Sequence, residues 1–140
     1  MFTKFDYVHM KNAYNWAELS HSKRKQVGAV IVKDGRCIAH GYNGRNQTQD
    51  NCCEDKDGNT RPDVIHAEFN AILFAAKHGI PTNNCTLYVT CEPCNECVPK
   101  IASAGIKKII YSEEYTSESK GTNIDLVKSY GMEIYKLNEK

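Results

Sequence analysis

The sequence has no hydrophobic stretch long enough to cross a membrane, and its first ten residues do not form a signal-peptide pattern. It also lacks an excess of either charge, because 18 basic residues stand against 17 acidic ones. A nearly neutral chain of 140 residues does not have the positive charge that neutralises long nucleic acids. We therefore expect a single domain, residues 1–140, in the cytoplasm, with neither a membrane nor a long nucleic acid as its partner.

The chain also lacks an even number of cysteines, because it has seven. Without a secretion signal, this odd number argues against a disulfide framework and favours free thiols and a metal site. Cys37 and Cys85 alternate with apolar residues of predicted strands, which indicates two small core residues. Cys52 and Cys53 lie in a long polar loop. Free thiols are the favoured interpretation there over a second zinc site, because adjacent cysteines fit one tetrahedral site poorly.

Hydrophobic periodicity predicts alternating helices and strands. The predicted helices are residues 5–19, 66–77, 94–104 and 123–130, and the predicted strands are 26–32, 36–40, 85–90, 107–111 and 132–137. Asp34-Gly35 favours a tight hairpin between the first two strands. Pro99 is awkward inside the third helix, so we expect an irregular first turn. The order α-β-β-α-β-α-β-α-β predicts a three-layer α/β/α fold around a five-stranded mixed sheet.

Two short motifs carry the chemistry: His-Ala-Glu at 66–68 and Pro-Cys-Asn-Glu-Cys at 93–97. Zinc binds nitrogen and sulfur, and a catalytic zinc uses three protein ligands and keeps its fourth position for water. The predicted ligands are His66, Cys94 and Cys97. Glu68 is close to the histidine and is the predicted carrier of protons. A structural zinc knuckle and unrelated side chains are the alternatives, but the two paired motifs with a glutamate in register favour a catalytic zinc.

Together with residues 26–32 and Gly-Tyr-Asn-Gly at 41–44, these motifs resemble the cytidine and deoxycytidylate deaminase superfamily. Asn70 and the Asn95-Glu96 pair point to its deoxycytidylate (dCMP) branch. The resemblance implies a cytidine-deaminase-like fold and zinc-dependent hydrolysis of dCMP to dUMP and ammonia, which feeds thymidylate synthesis. It also implies that Glu68 passes protons between the attacking water, the ring nitrogen and the leaving amine.

The resemblance further implies that Asn43 contacts the sugar and the base of the substrate. The 5′-phosphate needs donors, and Ser22, Arg24 and Lys25 before the first strand are candidates, since arginine and lysine suit phosphate. A solvated charged turn is the alternative for these three residues. Tyr115 is a candidate to stack on the nucleotide, with a packing tyrosine as the alternative.

Members of this family are often hexamers that dCTP activates and dTTP inhibits, with Mg²⁺ accompanying the triphosphate. The segment Gly41, Tyr42, Asn43 and Gly44 is similar to the regulatory region of the family, so the same regulation is expected here. Its glycines permit unusual backbone angles or the close approach of a ligand.

Three other functions stay open at this point: deamination of transfer-RNA adenosine, deamination of free cytidine, and a zinc-stabilised module that binds nucleic acid. Glu92 before Pro93 departs from the apolar residue common in dCMP deaminases and makes this stretch partly similar to the transfer-RNA enzymes.

Overall fold

The computed structural model describes residues 2–114 and 122–138. Within these ranges the elements follow the predicted order: α1 (Lys4–Ala17), β1 (Gly28–Lys33), β2 (Arg36–Tyr42), α2 (Ala67–Lys77), β3 (Thr86–Cys91), α3 (Val98–Ser103), β4 (Lys108–Glu113), α4 (Ile124–Ser129) and β5 (Glu133–Lys136). Among the described helices, none has the length and apolar character needed to span a bilayer.

The five strands form one mixed sheet in the order β2-β1-β3-β4-β5. β1 is antiparallel to both β2 and β3, whereas β3, β4 and β5 run parallel. On one face α1 buries Met10 and Ala13 against the sheet. On the other face α2, α3 and α4 contribute residues that include Ala71, Ile101 and Val127. The predicted three-layer fold and mixed sheet are confirmed.

The β1–β2 hairpin turns at Asp34 and Gly35, which both have positive φ, as the Asp-Gly signal predicts. The pairing then slips, because Ile31 pairs with Ala39 but Val32 pairs with Cys37. One extra residue therefore lies in β2, and such a bulge breaks the alternation of inward and outward side chains. Cys37 is exposed as a result, so its prediction as a core residue is wrong, whereas buried Cys85 is confirmed.

The third helix begins later than the sequence predicts. Residues 94–97 form a turn in which the N–H groups of Cys97 and Val98 both donate to the carbonyl of Cys94. The helix starts at Val98, which makes Pro99 its second residue. Proline is tolerated in a first helical turn, because an amide there has no partner within the helix. Pro99 therefore marks the true start of α3 and leaves both cysteines of the motif outside it.

Two glycines allow helices to lie directly on the sheet. A Cβ atom added to Gly28 in β1 would meet the carbonyl oxygen of Ala13 at 1.9 Å and the amide nitrogen of Ala17 at 2.7 Å. A Cβ atom added to Gly41 in β2 would meet backbone atoms of α2 at 2.6 Å. Backbone atoms cannot rotate away as a side chain can, so these two positions set how closely α1 and α2 approach the sheet.

We predict that Gly28→Ala lowers the free energy of unfolding by about 3 kcal/mol, because the new methyl group forces α1 away from β1. Urea unfolding followed by circular dichroism measures this change. Gly44→Ala is the matched control, since a Cβ atom there meets no atom within 4 Å. Equal unfolding midpoints for the two variants would contradict the close packing.

Candidate metal centre and active site

The predicted metal ligands meet at one edge of the sheet. His66 is the N-cap of α2, and Cys94 and Cys97 lie in the turn between β3 and α3. Nδ1 of His66 lies 3.1 Å from Sγ of Cys97 and 3.6 Å from Sγ of Cys94, and the two sulfurs are 3.5 Å apart. Among the described residues, these three form the one group of three or more such donors that could hold a metal ion.

The donor set suits zinc. Bond lengths of about 2.0–2.1 Å to nitrogen and about 2.3 Å to sulfur, at tetrahedral angles, place the donors roughly 3.6–3.8 Å apart. The two separations that involve Cys94, 3.6 and 3.5 Å, lie close to that range, and the separation of 3.1 Å between His66 and Cys97 is shorter. Two thiolates with one imidazole would balance the charge of Zn²⁺, and the described part of the chain supplies three donors to this group.

The two thiols differ in acidity. The pKa of Cys94 is lowered by hydrogen bonds with Cys97 and with His66. The pKa of Cys97 is raised by its hydrogen bond with Cys94 and by burial. The same contact with Cys94 raises the pKa of His66. The thiolate is the form of cysteine that binds metal, so the lowered pKa of Cys94 favours its role as a ligand.

Glu68 lies in the first turn of α2, one residue after the N-terminal residue of this helix. Its side chain is buried, with the residue 4% exposed, and this burial raises the pKa of the carboxyl group. It belongs to the lining of the cavity that His66 also reaches, but not to the donor group. The arrangement places a buried carboxyl group in the same cavity as His66, outside the donor group.

The cavity has a volume of about 530 Å³, within the usual range for a small-molecule site. It brings together every described candidate for substrate binding with His66 and Glu68. Its lining residues are Ser22, Arg24, Lys25, Val27, Asn43, Thr60, Val64, His66, Ala67, Glu68, Cys91, Glu92 and Glu114. Tyr115 lies outside the described residues.

The three phosphate candidates have different surroundings. Ser22 is buried, and its hydroxyl donates to Glu54 at 3.0 Å. Lys25 forms an ion pair of 2.8 Å with Glu113, a contact that raises the pKa of the lysine. The Arg24 guanidinium has no hydrogen bond or ion pair with the described residues, so it is the candidate available to an anion.

Asn43 fixes the wall of the cavity through both ends of its amide. Its Oδ1 accepts from the backbone N–H of Val27 at 2.9 Å, and its Nδ2 donates to the carbonyl of Lys25 at 2.8 Å. The predicted contact of Asn43 with sugar and base is compatible with its position in the lining, but these bonds also assign it a structural task that the sequence did not indicate.

The segment 41–44 is hydrogen-bonded to residues on either side of His66. Gly44 and Ile65 exchange two backbone hydrogen bonds, and Nδ2 of Asn70 donates to the carbonyl of Tyr42 at 2.8 Å. Neither Gly41 nor Gly44 has a positive φ. The close approach that Gly41 permits is therefore that of α2, not that of a ligand, which corrects the interpretation from sequence.

Several anchoring residues were missed from sequence. Oε2 of Glu92 accepts from the N–H of Thr122 at 3.3 Å, and Oδ1 of Asn95 accepts from the N–H of Asn123 at 2.8 Å. These bonds hold the start of α4 against the metal-binding turn. Glu54 belongs to no periodic pattern or motif, and Glu92 is notable in the sequence only as a departure from the family, so neither anchoring contact is predictable from the sequence.

The remaining cysteines fit the interpretation as free thiols. Sγ of Cys52 contacts the carbonyl oxygen of Glu54, and Sγ of Cys53 contacts that of Asn51. Within the described ranges, neither joins a group of three metal donors.

Comparison with known proteins gives a consistent family. The family model for the cytidine and deoxycytidylate deaminase zinc-binding region matches residues 3–113. The deoxycytidylate deaminase of Enterobacteria phage T4 is 32% identical over 156 residues, which covers 82% of this chain and 80% of the relative. The human deoxycytidylate deaminase is 36% identical over 122 residues, which covers 81% of this chain and 67% of the relative.

A solved structure supports the same family. The dCMP deaminase from cyanophage S-TIM5, in complex with dCMP and dUMP, superposes with a TM-score of 0.89 at 38% identity, and the match covers 98% of this chain and 99% of that one. The family resemblance and the fold predicted from the sequence are thereby confirmed. From the match over most of its length and the shared fold, we conclude that this chain belongs to the cytidine and deoxycytidylate deaminase family.

Proposed function

We propose that the protein is a dCMP deaminase, which hydrolyses dCMP to dUMP and ammonia and so supplies dUMP for thymidylate synthesis. The observation that carries this proposal is one cavity whose lining combines His66, a member of the donor group with Cys94 and Cys97, with buried Glu68 and with Arg24, whose guanidinium has no partner among the described residues. Relatives named deoxycytidylate deaminase support the substrate, as does the cyanophage structure in complex with dCMP and dUMP.

His66, Cys94 and Cys97 would hold the zinc, which when bound makes water a stronger acid and a better nucleophile at neutral pH. Glu68 takes a proton from the attacking water and delivers it to N3 of the cytosine ring. As the C4–N bond breaks, the same carboxyl group delivers a second proton from the water-derived hydroxyl to the amine, which leaves as ammonia. The water oxygen becomes O4 of dUMP, so the atoms balance.

Other residues of the cavity lining are proposed to orient the substrate. Arg24 is proposed to contact the 5′-phosphate directly, because its guanidinium has no partner among the described residues and carries several donors suited to phosphate. Asn43 is proposed to contact the sugar and base. Ser22 and Lys25 are engaged with Glu54 and Glu113, and they support the same turn. Stacking by Tyr115 remains a prediction.

We also propose regulation by dCTP as activator and dTTP as inhibitor, with Mg²⁺ accompanying the triphosphate and Gly41, Tyr42, Asn43 and Gly44 as the receiving segment. The family resemblance of this segment supports the proposal. A physical route is available, since the Gly44–Ile65 bridge reaches the residue before His66. A ligand that shifts this segment would displace a metal ligand as well.

The chain is proposed to form one domain, to assemble as a homohexamer and to act in the cytoplasm. Large apolar side chains on the outer surfaces of α1 and α2 support assembly, because exposed apolar area favours association. They are Phe5, Val8, Leu73 and Phe74.

The substrate class is tested by ammonia release from dCMP, cytidine and a transfer-RNA anticodon hairpin, assayed side by side. We expect release from dCMP. Ammonia release from the hairpin but not from dCMP would indicate a transfer-RNA adenosine deaminase, and release from cytidine but not from dCMP would indicate a cytidine deaminase. Bound zinc with no ammonia from any of the three would favour a binding module.

Glu68→Gln is expected to keep zinc and to lose turnover by at least about 100-fold, because the amide cannot carry protons. Initial rates and metal content are measured on the same samples. Glu96→Gln is the matched control, since Glu96 is exposed and lies between the two cysteines. Full turnover in Glu68→Gln would remove this residue from the mechanism.

Regulation predicts that dCTP with Mg²⁺ raises the rate at low dCMP and that dTTP with Mg²⁺ lowers it. Light scattering on the same samples should give six times the mass of one chain. Rates that do not respond to either triphosphate would exclude the regulatory site, and a monomer mass would exclude the hexamer.

A further inference from the structure

Glu54 is a buried carboxylate that the deamination chemistry does not use. It lies in the long loop between β2 and α2 and is 7% exposed. Its Oε2 accepts from the hydroxyl of Ser22 at 3.0 Å, the N–H of Lys23 at 3.0 Å and the N–H of Arg24 at 3.4 Å. Burial alone would raise its pKa, but these donors outweigh burial and lower it. One carboxylate oxygen thus fixes three consecutive residues of the turn before β1.

The loop that carries Glu54 is itself braced. Arg45 at its start donates to Asp63 near its end at 2.9 Å and to Asp50 at 3.0 Å. Glu54 also pairs with Thr60 through an isolated β-bridge. The position of Glu54 is therefore fixed by contacts within its own loop and by its hydrogen bonds with residues 22–24.

The turn is held from the other direction as well. Lys25 is paired with Glu113, which also accepts from the hydroxyl of Tyr14 at 2.7 Å. Between these two anchors lies Arg24, whose guanidinium has no partner in the described part of the chain and which lines the cavity. The Glu54 carboxylate would repel the phosphate of a substrate if its negative charge were not already engaged. Three donors from residues 22–24 engage that charge.

We propose that Glu54 is a positioning residue that sets the preference for a nucleotide over a nucleoside. It fixes residues 22–24 so that the Arg24 guanidinium meets the 5′-phosphate of a nucleoside monophosphate. This inference rests on the proposed function of the cavity, and it assigns to the long loop the task of supporting the phosphate end of the site.

Calorimetric binding of dUMP and of deoxyuridine to the zinc-loaded enzyme tests the inference without relying on turnover. In Glu54→Ala the Kd for dUMP should rise about tenfold, the order expected when a bond to a charged group is lost, while the Kd for deoxyuridine stays unchanged. Glu54→Gln should fall between wild type and Glu54→Ala, because its amide oxygen still accepts from the turn. Asp57→Ala, in the exposed part of the same loop, is the matched control and should bind both ligands as wild type does.

A double-mutant cycle shows whether Glu54 acts through Arg24. Arg24→Ala should weaken dUMP binding, and adding Glu54→Ala to it should cause no further loss.

Additive losses would overturn the inference, as would equal losses for dUMP and deoxyuridine, or wild-type affinity in Glu54→Ala. If Glu54→Ala does not fold, Glu54→Gln decides: a selective loss for dUMP supports the inference, and no loss or an equal loss overturns it. A wild-type enzyme without preference for dUMP also overturns it. Failure of the proposed function is distinct, since it appears as absence of ammonia release from dCMP.

Discussion

Helix α2 lies so close to β2 that a methyl group on Gly41 would stand 2.6 Å from backbone atoms of both Ala67 and Ala71. This contact sets the first turn of α2 against the sheet, and His66 and Glu68 belong to that turn or border it. The Gly44–Ile65 bridge and the Asn70 amide then fix the chain as it enters the helix. Backbone packing therefore places His66, the proposed nitrogen ligand, and Glu68, the proposed proton carrier.

The rest of the site follows from the strand directions. β2, β3 and β4 end, and β1 begins, at the same edge of the sheet, because β1 is antiparallel to both of its neighbours and β3 is parallel to β4. The metal-binding turn follows β3, Asn43 follows β2, and the charged turn precedes β1. Two carboxylates hold that charged turn: Glu54 binds its backbone and Glu113 binds Lys25. His66 and Glu68 thus share one cavity with the proposed substrate-binding residues, which come from the ends of different strands.

The fold and the metal-donor group are predictable from the sequence, but the contacts that shape the cavity lining are not. Asp34-Gly35 and the helical periodicity specify local geometry, so the hairpin and the order of elements are predictable. The metal donors are predictable because cysteine and histidine at this spacing have few other uses. In contrast, the sequence does not distinguish Ser22 and Lys25 from Arg24 as phosphate donors. They differ from Arg24 because Ser22 contacts Glu54 and Lys25 contacts Glu113, which come from a distant loop and a distant strand. The exposure of Cys37 has the same origin, since a bulge depends on pairing between strands.

X-ray absorption at the zinc edge tests the central claim most directly, because it counts the atoms bound to the metal in solution. We expect one zinc per chain with two sulfur ligands, one imidazole nitrogen and one further light atom that exchanges with solvent. Four protein ligands around the zinc, or a zinc shell without sulfur from Cys94 and Cys97, would contradict it.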